Sequence, residues 1–311
     1  MIPDNCEFVP LSKLRPFQLL GEMLRTAVEE TVSEYLCRNW KVRTAKDMSE
    51  YACHHCAILS DGVYAVFVKY AEEEEAPKQF ACEIDGLQYL SEEAHVLIPT
   101  PISIVPVENG TLFIIEALKI VERTPLDWRK IGRTLSRIHR VNSDRFGFHS
   151  NGYLGPVPMD NTPTKDWVSF YQERRLSPML KKAIDSENLP ISFANQVEKL
   201  ILRLPELCDN DLTPSLLHGD AQQNNFISSE KGTYIIDPAI YYGNPEIDLA
   251  LIDCWQPVPD EVFRGYKEEM PIDSGFIKRR NLWRISIYLV AVTLEGSEYL
   301  TKLSDALKEY V

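Results

Sequence analysis

Basic charge is the first thing this chain is short of: 33 Lys and Arg stand against 46 Asp and Glu, a net charge of −13. That balance argues against a nucleic-acid or anionic-membrane surface. A polyanionic ligand would need a metal ion and locally placed cations. The N-terminal stretch MIPDNCEFVPLSKL lacks the charged region followed by an apolar one that marks a secretory leader. No apolar run reaches the roughly 18 residues of a membrane span. Seven cysteines in 311 residues, an odd count, do not read as a disulfide framework, and a reducing cytoplasm fits best. Internal repeats and low-complexity segments are also missing.

What is present is ordinary globular composition, 44% hydrophobic and 25% charged, in a chain long enough for one large or two modest cores. Over residues 16–37, Leu20, Met23, Leu24, Ala27, Val28, Thr31 and Tyr35 recur at helical spacing, with Pro16 tolerable in a first turn. From 51 to 70 the period shortens, and ACHHCAILSDGVYAVFVKY reads as a hairpin turning at Asp61-Gly62. The acidic run Glu72–Glu75 reads as a solvated loop, followed by a helix around 78–93. IPTPISIVPV reads as a Pro-broken connection, and NGTLFIIEAL as a turn entering a buried strand. Beyond about residue 117 helices dominate. Trp128, Ile131, Leu135 and Ile138 share one face, and further helices are expected at 164–185, 192–204, 246–255, 276–292 and 297–309. The expected architecture is α+β: a small sheet-rich N-terminal half over 1–116 and a larger, mostly helical half over 117–311.

One stretch in the helical half stands apart: LLHGDAQQNNFISSEKGTYIIDPA, residues 216–239. Asp220 and Asp237 lie 17 positions apart, each after a short apolar run, and Asn225 follows Asp220 by five. Phosphoryl transfer asks little covalent chemistry of a protein; it needs held phosphates, a divalent metal and a base near the attacking hydroxyl. One carboxylate can be that base, while a carboxylate and an amide oxygen are hard ligands suited to Mg²⁺. The same logic seeks a lysine in the first half. Lys69 closes a strand whose alternation puts Val63, Ala65, Phe67 and Lys69 on one face. Glu83, in the following helix, is placed to hold the ammonium, with Phe80, Ile84, Leu87 and Leu90 as the packing stripe.

The run LLHGDxxxxN…IIDPAIYYGNPEIDLAL resembles the fructosamine/ketosamine kinase family, a branch of the aminoglycoside-phosphotransferase group within the protein-kinase-like fold. FGFHSNGYLGPVPMDNTPTKDWVSFYQERRLSPML (146–180) is similar to the family's mid-chain signature, and YKEEMPIDSGFIKRRNLW (266–283) to its C-terminal one. FVKY and FACEIDGLQYL match its lysine strand and following helix. The resemblance covers most of the chain from about residue 40. It implies a two-lobed fold, with Asp220 as catalytic base, Asn225 and Asp237 as metal ligands, and Lys69 on the nucleotide phosphates with Glu83 as partner. Glu116, Ala117 and Leu118 would form the interlobe hinge whose backbone meets adenine. The implied reaction is ATP- and Mg²⁺-dependent phosphorylation of a sugar hydroxyl on a small-molecule or protein-bound ketoamine, serving deglycation, by a monomer or weak dimer.

The chain also departs from that pattern. HGDAQQNN stands where the family usually has H-G-D-L-W-x-G-N, so Gln222 replaces a Trp and Asn224 a Gly beside the base. RISIYLVAVTLEGSEYL has no His where the family commonly has a His/Asn-rich helix. The phosphate-covering loop expected near 47–56, DMSEYACHHC, has no glycine. Gln222 and Trp167 are the candidate acceptor contacts. Two alternatives to a ketosamine kinase therefore stay open: a kinase of the same fold acting on another alcohol (an amino alcohol, aminoglycoside or other sugar), and a nucleotide-binding pseudokinase.

Blander readings exist for several of these residues. An Asp after a strand often only caps a turn. His218 reads as a hydrogen-bonding brace for its loop, and an amphipathic helix burying Trp and Phe explains Trp167, Arg174 and Arg175 equally well. CHHC at 53–56 invites a zinc site, but consecutive strand residues alternate faces and cannot close one tetrahedron. Cys53 and Cys56 near the phosphate loop suggest redox-sensitive activity.

Overall fold

The computed structural model describes residues 9–10, 21–49, 54–208 and 211–311. Most of the N-terminal MIPDNCEFVPLSKL stretch, the start of the first expected helix with Pro16 and Leu20, and Glu50–Cys53 of the phosphate-covering loop lie outside the described residues, so the Cys53 readings are not addressed. The chain divides into two compact units, one of Met1–Asp85 with Ile98–Val121, the other of Gly86–Leu97 with Glu122–Val311.

The first unit is built on one antiparallel sheet. Its strands are β1 (Val9–Pro10), β2 (Thr44–Asp47), β3 (His55–Ser60), β4 (Ala65–Ala71), β5 (Pro101–Val107) and β6 (Gly110–Glu116), in the order β1-β2-β3-β4-β6-β5. Helix α1 (Glu22–Leu36) supplies Val28 and Val32 to a core with Trp40, Leu59, Val66, Val68, Leu112 and Ile114. The buried stripe of α1 differs from the expected one, for Met23 and Tyr35 are 63% and 46% exposed while Val32 is fully covered. Trp40 locks the helix exit: its backbone N–H donates to Ser33 Oγ at 2.9 Å and its indole N–H to the Tyr64 carbonyl at 3.1 Å.

The β3–β4 hairpin turns where expected. Asp61 Oδ1 accepts the N–H groups of Val63 and Tyr64 at 2.8 and 2.7 Å, leaving Val63 outside the strand and 89% exposed. The segment read as a Pro-broken connection is strand β5. It sits at the sheet edge, where only one side must be hydrogen-bonded, so Pro101 and Pro106 are tolerated. The acidic run Glu72–Glu75 is exposed, and helix α2 (Ala76–Ala94) begins directly after it, burying Phe80, Leu87 and Leu90.

The second unit is mostly helical. Helix α3 (Pro125–His139) opens on a capping box, with Asp127 N–H donating to Thr124 Oγ1 and Asp127 Oδ2 accepting the Thr124 N–H. A small hairpin, β7 (Gly152–Leu154) with β8 (Val157–Met159), precedes α4 (Trp167–Tyr171), which runs through a widened π turn (Gln172–Leu176) into α5 (Ser177–Asp185). Then follow α6 (Ile191–Leu207), β9 (Ser215–Leu217), β10 (Phe226–Ser229), β11 (Gly232–Ile235), β12 (Tyr241–Gly243), α7 (Glu246–Leu251), α8 (Glu261–Lys267), α9 (Phe276–Glu295) and α10 (Leu300–Leu307).

Two features of this unit were not read from the sequence. Arg175 is 3% exposed, its guanidinium 4.0 Å from the Tyr241 ring centroid and donating to Asn161 Oδ1 at 2.6 Å and the Asp160 carbonyl at 2.8 Å. Helix α8, too short to show a periodic stripe, crosses α3 at two glycines. A Cβ on Gly132 would stand 1.9 Å from the Val262 carbonyl oxygen, and one on Gly265 would stand 2.1 Å from that of Arg129. Backbone cannot yield as a side chain does. Gly132→Ala should therefore destabilise this unit by about 1–3 kcal/mol, seen as a fall of several degrees in Tm; an unchanged Tm would show that the crossing can open at no cost.

Candidate active site

Within the first unit, Lys69 lies on β4 opposite Cys56 of β3 and Phe113 of β6. Its ammonium donates to both Glu83 carboxylate oxygens at 2.7 Å and lies 5.8 Å from the Phe113 ring centroid, with the Lys69 residue 8% exposed. A buried ammonium is tolerable only when so paired, and the pairing fixes its position. Phe80 packs on Phe113 and on His54, closing the apolar side. At the end of β6, Glu116 accepts from Thr100 Oγ1 at 2.9 Å, and Ala117 N–H donates to the Ala65 carbonyl at 3.1 Å. Among the described residues the N–H of Leu118 donates to no carbonyl, which leaves a backbone donor next to the strand end.

In the second unit, β9 delivers the loop His218–Gly219–Asp220, and the β10–β11 hairpin carries Asn225 and Asp237 at its open end. The Ile236 N–H donates to the Asn225 carbonyl at 3.0 Å, so Asp237 emerges beside Asn225. Asn225 Nδ2 donates to the Asp220 carbonyl at 2.8 Å and to its Oδ2 at 3.0 Å. Two acceptors on one amide nitrogen fix which way the side chain faces, and Oδ1 is thereby turned away from Asp220. The structure thus brings Asp220, Asn225 and Asp237 together. Asp237 has φ +53°, a left-handed turn that Asp adopts at about 1 kcal/mol, and which redirects the chain at the end of β11.

The Asp220 carboxyl is pushed up to about 6: enclosure disfavours its charge most, and Asp237 adds repulsion, against stabilising hydrogen bonds from Gln222 and Asn225. Gln222 Nε2 lies 3.2 and 3.4 Å from the two Asp220 oxygens. Trp167, the other acceptor candidate, is 0% exposed, stacked among Phe170, Tyr171 and Trp283, so it shapes the site only through packing. The donor set fits a hard cation: an amide oxygen with no hydrogen bond among the described residues, next to a carboxylate. Outside this set, no cluster of three or more His, Cys, Asp or Glu among the described residues could hold a metal ion.

The carboxylate that anchors the loop was not assigned from the sequence, although its signal was in the DPAIYYGNPEIDLA run. Asp248 on α7 is 0% exposed and accepts the His218 N–H at 2.7 Å and the Gly219 N–H at 3.0 Å. His139 of α3 faces the same carboxylate through Nε2 at 3.2 Å and the Tyr266 hydroxyl through Nδ1 at 2.9 Å. His218 Nε2 donates to the Ile236 carbonyl at 3.0 Å, so its Nδ1 is the acceptor for the Asp220 N–H at 3.3 Å. Burial holds this imidazole below its ordinary pKa, in keeping with a neutral brace. Gly219 has φ +81°, and a Cβ there would stand 1.9 Å from the Ala239 carbonyl oxygen, so only glycine fits. The second motif acid, Glu246, accepts from Arg279 Nη2 at 2.6 Å and from the Trp283 indole at 2.7 Å, fastening α7 to α9.

A sequence profile of the fructosamine kinase family matches residues 24–311. A protein of Pasteurella multocida named a probable ketoamine kinase is 24% identical over 280 residues, 89% of this chain and 95% of its own length. The crystal structure of a Thermobifida fusca protein named a putative fructosamine-3-kinase superposes with a TM-score of 0.77 at 28% identity, covering 91% of this chain and 98% of that one. A thermostable aminoglycoside phosphotransferase APH(4)-Ia, held in a ternary complex with ADP and hygromycin B, shares the fold at a TM-score of 0.60 and 14% identity, covering 92% and 99%.

Replacing Asp248 tests the brace. Asp248→Ala strands two buried backbone N–H groups and should cost about 3–5 kcal/mol. Asp248→Asn keeps one acceptor oxygen and should cost less. The check is thermal denaturation with soluble yield: equal Tm values for wild type and Asp248→Ala would mean the loop holds itself.

Proposed function

Because this chain belongs to the fructosamine kinase family, we propose that it transfers the terminal phosphoryl group of ATP to a sugar hydroxyl of a ketosamine, the adduct of a sugar with an amine. The observation that carries the reading is the Asn225 amide, locked by two hydrogen bonds onto Asp220 so that its oxygen is turned away from that carboxylate, with Asp237 brought alongside by the Ile236 N–H on the Asn225 carbonyl. That arrangement separates a proton-accepting carboxylate from a cation-binding pair within one loop and one hairpin.

In this mechanism Asp220 accepts the hydroxyl proton as the substrate oxygen bonds to phosphorus and the bond from that phosphorus to the bridging oxygen of ADP breaks. The raised affinity of Asp220 for a proton suits a group that must take one up. Asn225 Oδ1 and Asp237 would hold Mg²⁺, which when bound neutralises phosphate charge. Lys69, fixed by both oxygens of Glu83, would bind nucleotide phosphates as a positioned point charge. Glu116–Leu118 would present backbone to adenine, Leu118 with its open N–H. Residues 1–116 would then act as the nucleotide lobe and 117–311 as the lobe that holds the acceptor. Phosphorylating the adduct makes it labile, so the role would be deglycation of proteins or small amines in the cytoplasm. Among the described residues no helix is long and apolar enough to cross a membrane.

Asp220→Asn should lower turnover about 10²–10⁴-fold while nucleotide binding persists. Asp237→Ala should weaken binding of the Mg-nucleotide, read by calorimetry with and without Mg²⁺. Wild-type turnover by Asp220→Asn would remove the assignment.

A second reading, a different alcohol acceptor, draws on Gln222. An amide lying on the base is a polar contact that an incoming hydroxyl must share. A coupled ATP assay across glycated amines, amino alcohols and aminoglycosides separates the two, and a ketosamine should give the highest kcat/KM. Gln222→Trp should change the ranking among acceptors by about tenfold or more if choice resides there. An unchanged ranking would place it elsewhere.

A further inference from the structure

A second cluster of charge lies in the helical unit, and nothing in the phosphotransfer mechanism uses it. Helix α3 turns Lys130, Arg133 and Arg137 toward a cavity of about 300 Å³, and Lys231 with Glu230, from the β10–β11 turn, faces them across it. Four cations against one carboxylate is a local excess in a chain whose net charge is −13. Two of the cations are already satisfied, Lys130 by Asp127 at 2.8 Å and Arg133 by Glu268 at 2.5 Å. The side chains of Arg137 and Lys231 have no ion-pair partner among the described residues. Both are solvent-exposed and line the same cavity, where the summed positive potential of the lining favours an anion.

An independent observation concerns hydroxyls. Thr233, on the cavity wall, is 6% exposed, and its Oγ1 has no hydrogen-bond partner among the described residues. Its direct cross-strand neighbour Ser228 is 2% exposed and equally unsatisfied at Oγ. A buried hydroxyl left unpaired costs about 1–3 kcal/mol, so an oxygen-rich ligand at this wall recovers a real penalty. Thr134, 7% exposed on α3, also lines the cavity, with no hydrogen bond to its hydroxyl among the described residues.

The wall is built rather than incidental. The Ile235 N–H donates to the Leu97 carbonyl at 3.0 Å, tying residues 95–97 to β11. Gly232 has φ +140°, and a Cβ there would stand 3.0 Å from Leu97 Cδ1, so the turn closes tightly on this segment. Val96 and Leu97 supply the apolar lining. The volume is at the lower end of small-molecule sites and larger than inorganic phosphate requires.

We propose that this cavity is a binding site for a small phosphate monoester, its phosphate held by Arg137, Lys231 and the Thr233 hydroxyl and its short organic body against Val96 and Leu97. The site is distinct from the Asp220–Asn225–Asp237 set, and the inference does not depend on the acceptor assigned above. Arginine and lysine supply charge-assisted donors, and the threonine adds an oriented one.

The test uses the full chain titrated calorimetrically with glucose 6-phosphate, glucose and inorganic phosphate, with hydrogen exchange to locate the effect. Glucose 6-phosphate should bind saturably and protect residues 230–233, glucose should not bind, and inorganic phosphate should bind about tenfold or more weakly. Arg137→Gln with Lys231→Gln should weaken the ester about tenfold or more. Thr233→Val should weaken it by a smaller factor and raise Tm by removing an unpaired hydroxyl. Lys181→Gln with Lys308→Gln, a charge-matched pair at side chains 76% and 70% exposed, should change nothing. No saturable binding by wild type, or equal binding by the Arg137/Lys231 double variant, would overturn the site. Protection confined to residues 218–237 outside the 230–233 turn would do the same, as it would assign the ester to the Asp220 loop. Equal affinity for inorganic phosphate would overturn the ester assignment.

Discussion

A single buried carboxylate, Asp248, sets the geometry on which the rest of the site depends. Its two oxygens take the backbone N–H groups of His218 and Gly219, and His139 reaches one of them from α3. Hydrogen bonds to a fully covered carboxylate are strong because no water competes for it, and costly to lose for the same reason. The loop that presents Asp220 is therefore held by its own main chain, and the Asp220 carboxylate engages only its near neighbours Gln222 and Asn225. Gly219 completes the arrangement: its left-handed φ and the close Ala239 carbonyl leave no room for a Cβ.

Around that anchor, polar groups divide into those that hold and those that are held out. Glu246, Arg175 and His218 are buried and spend their hydrogen-bonding capacity on neighbours in the fold. Asn225 does both, its nitrogen fixed on Asp220 and its oxygen presented away. Asp220 itself sits in an environment that disfavours its charge, with Asp237 nearby adding repulsion. Such a frustrated pair of acids is stable only because the surrounding loop is over-determined, and it is relieved by a cation or a proton.

The basic cavity at the β10–β11 turn follows a different rule. Its cations come from one helix face and one turn, and its unsatisfied hydroxyl from Thr233 on β11. Neither signal is visible as a motif. Lys130, Arg133 and Arg137 are spaced as any charged helix face is, which carries no ligand signal of its own.

The sequence by itself determined the chemistry available to this protein and its local carriers. Spacing of one helical turn or one strand pair is enough to put Lys69 on its strand, Glu83 on the following helix, and Asp220 and Asn225 in one loop, because covalent geometry confines near neighbours. It also set the stripes of α2 and α3. Tertiary structure decided everything that required a partner far along the chain. Pro101–Val107 became a strand because an edge position forgave its prolines, and Val32 displaced Tyr35 from the α1 core face because the sheet lay on that side. Trp167 went into an aromatic core. Asp248, 28 positions beyond Asp220, became the loop's anchor only once α7 lay against the loop that follows β9. Long-range contacts are chosen by which buried groups can be satisfied together, and that choice is a property of the packed molecule rather than of any segment of it.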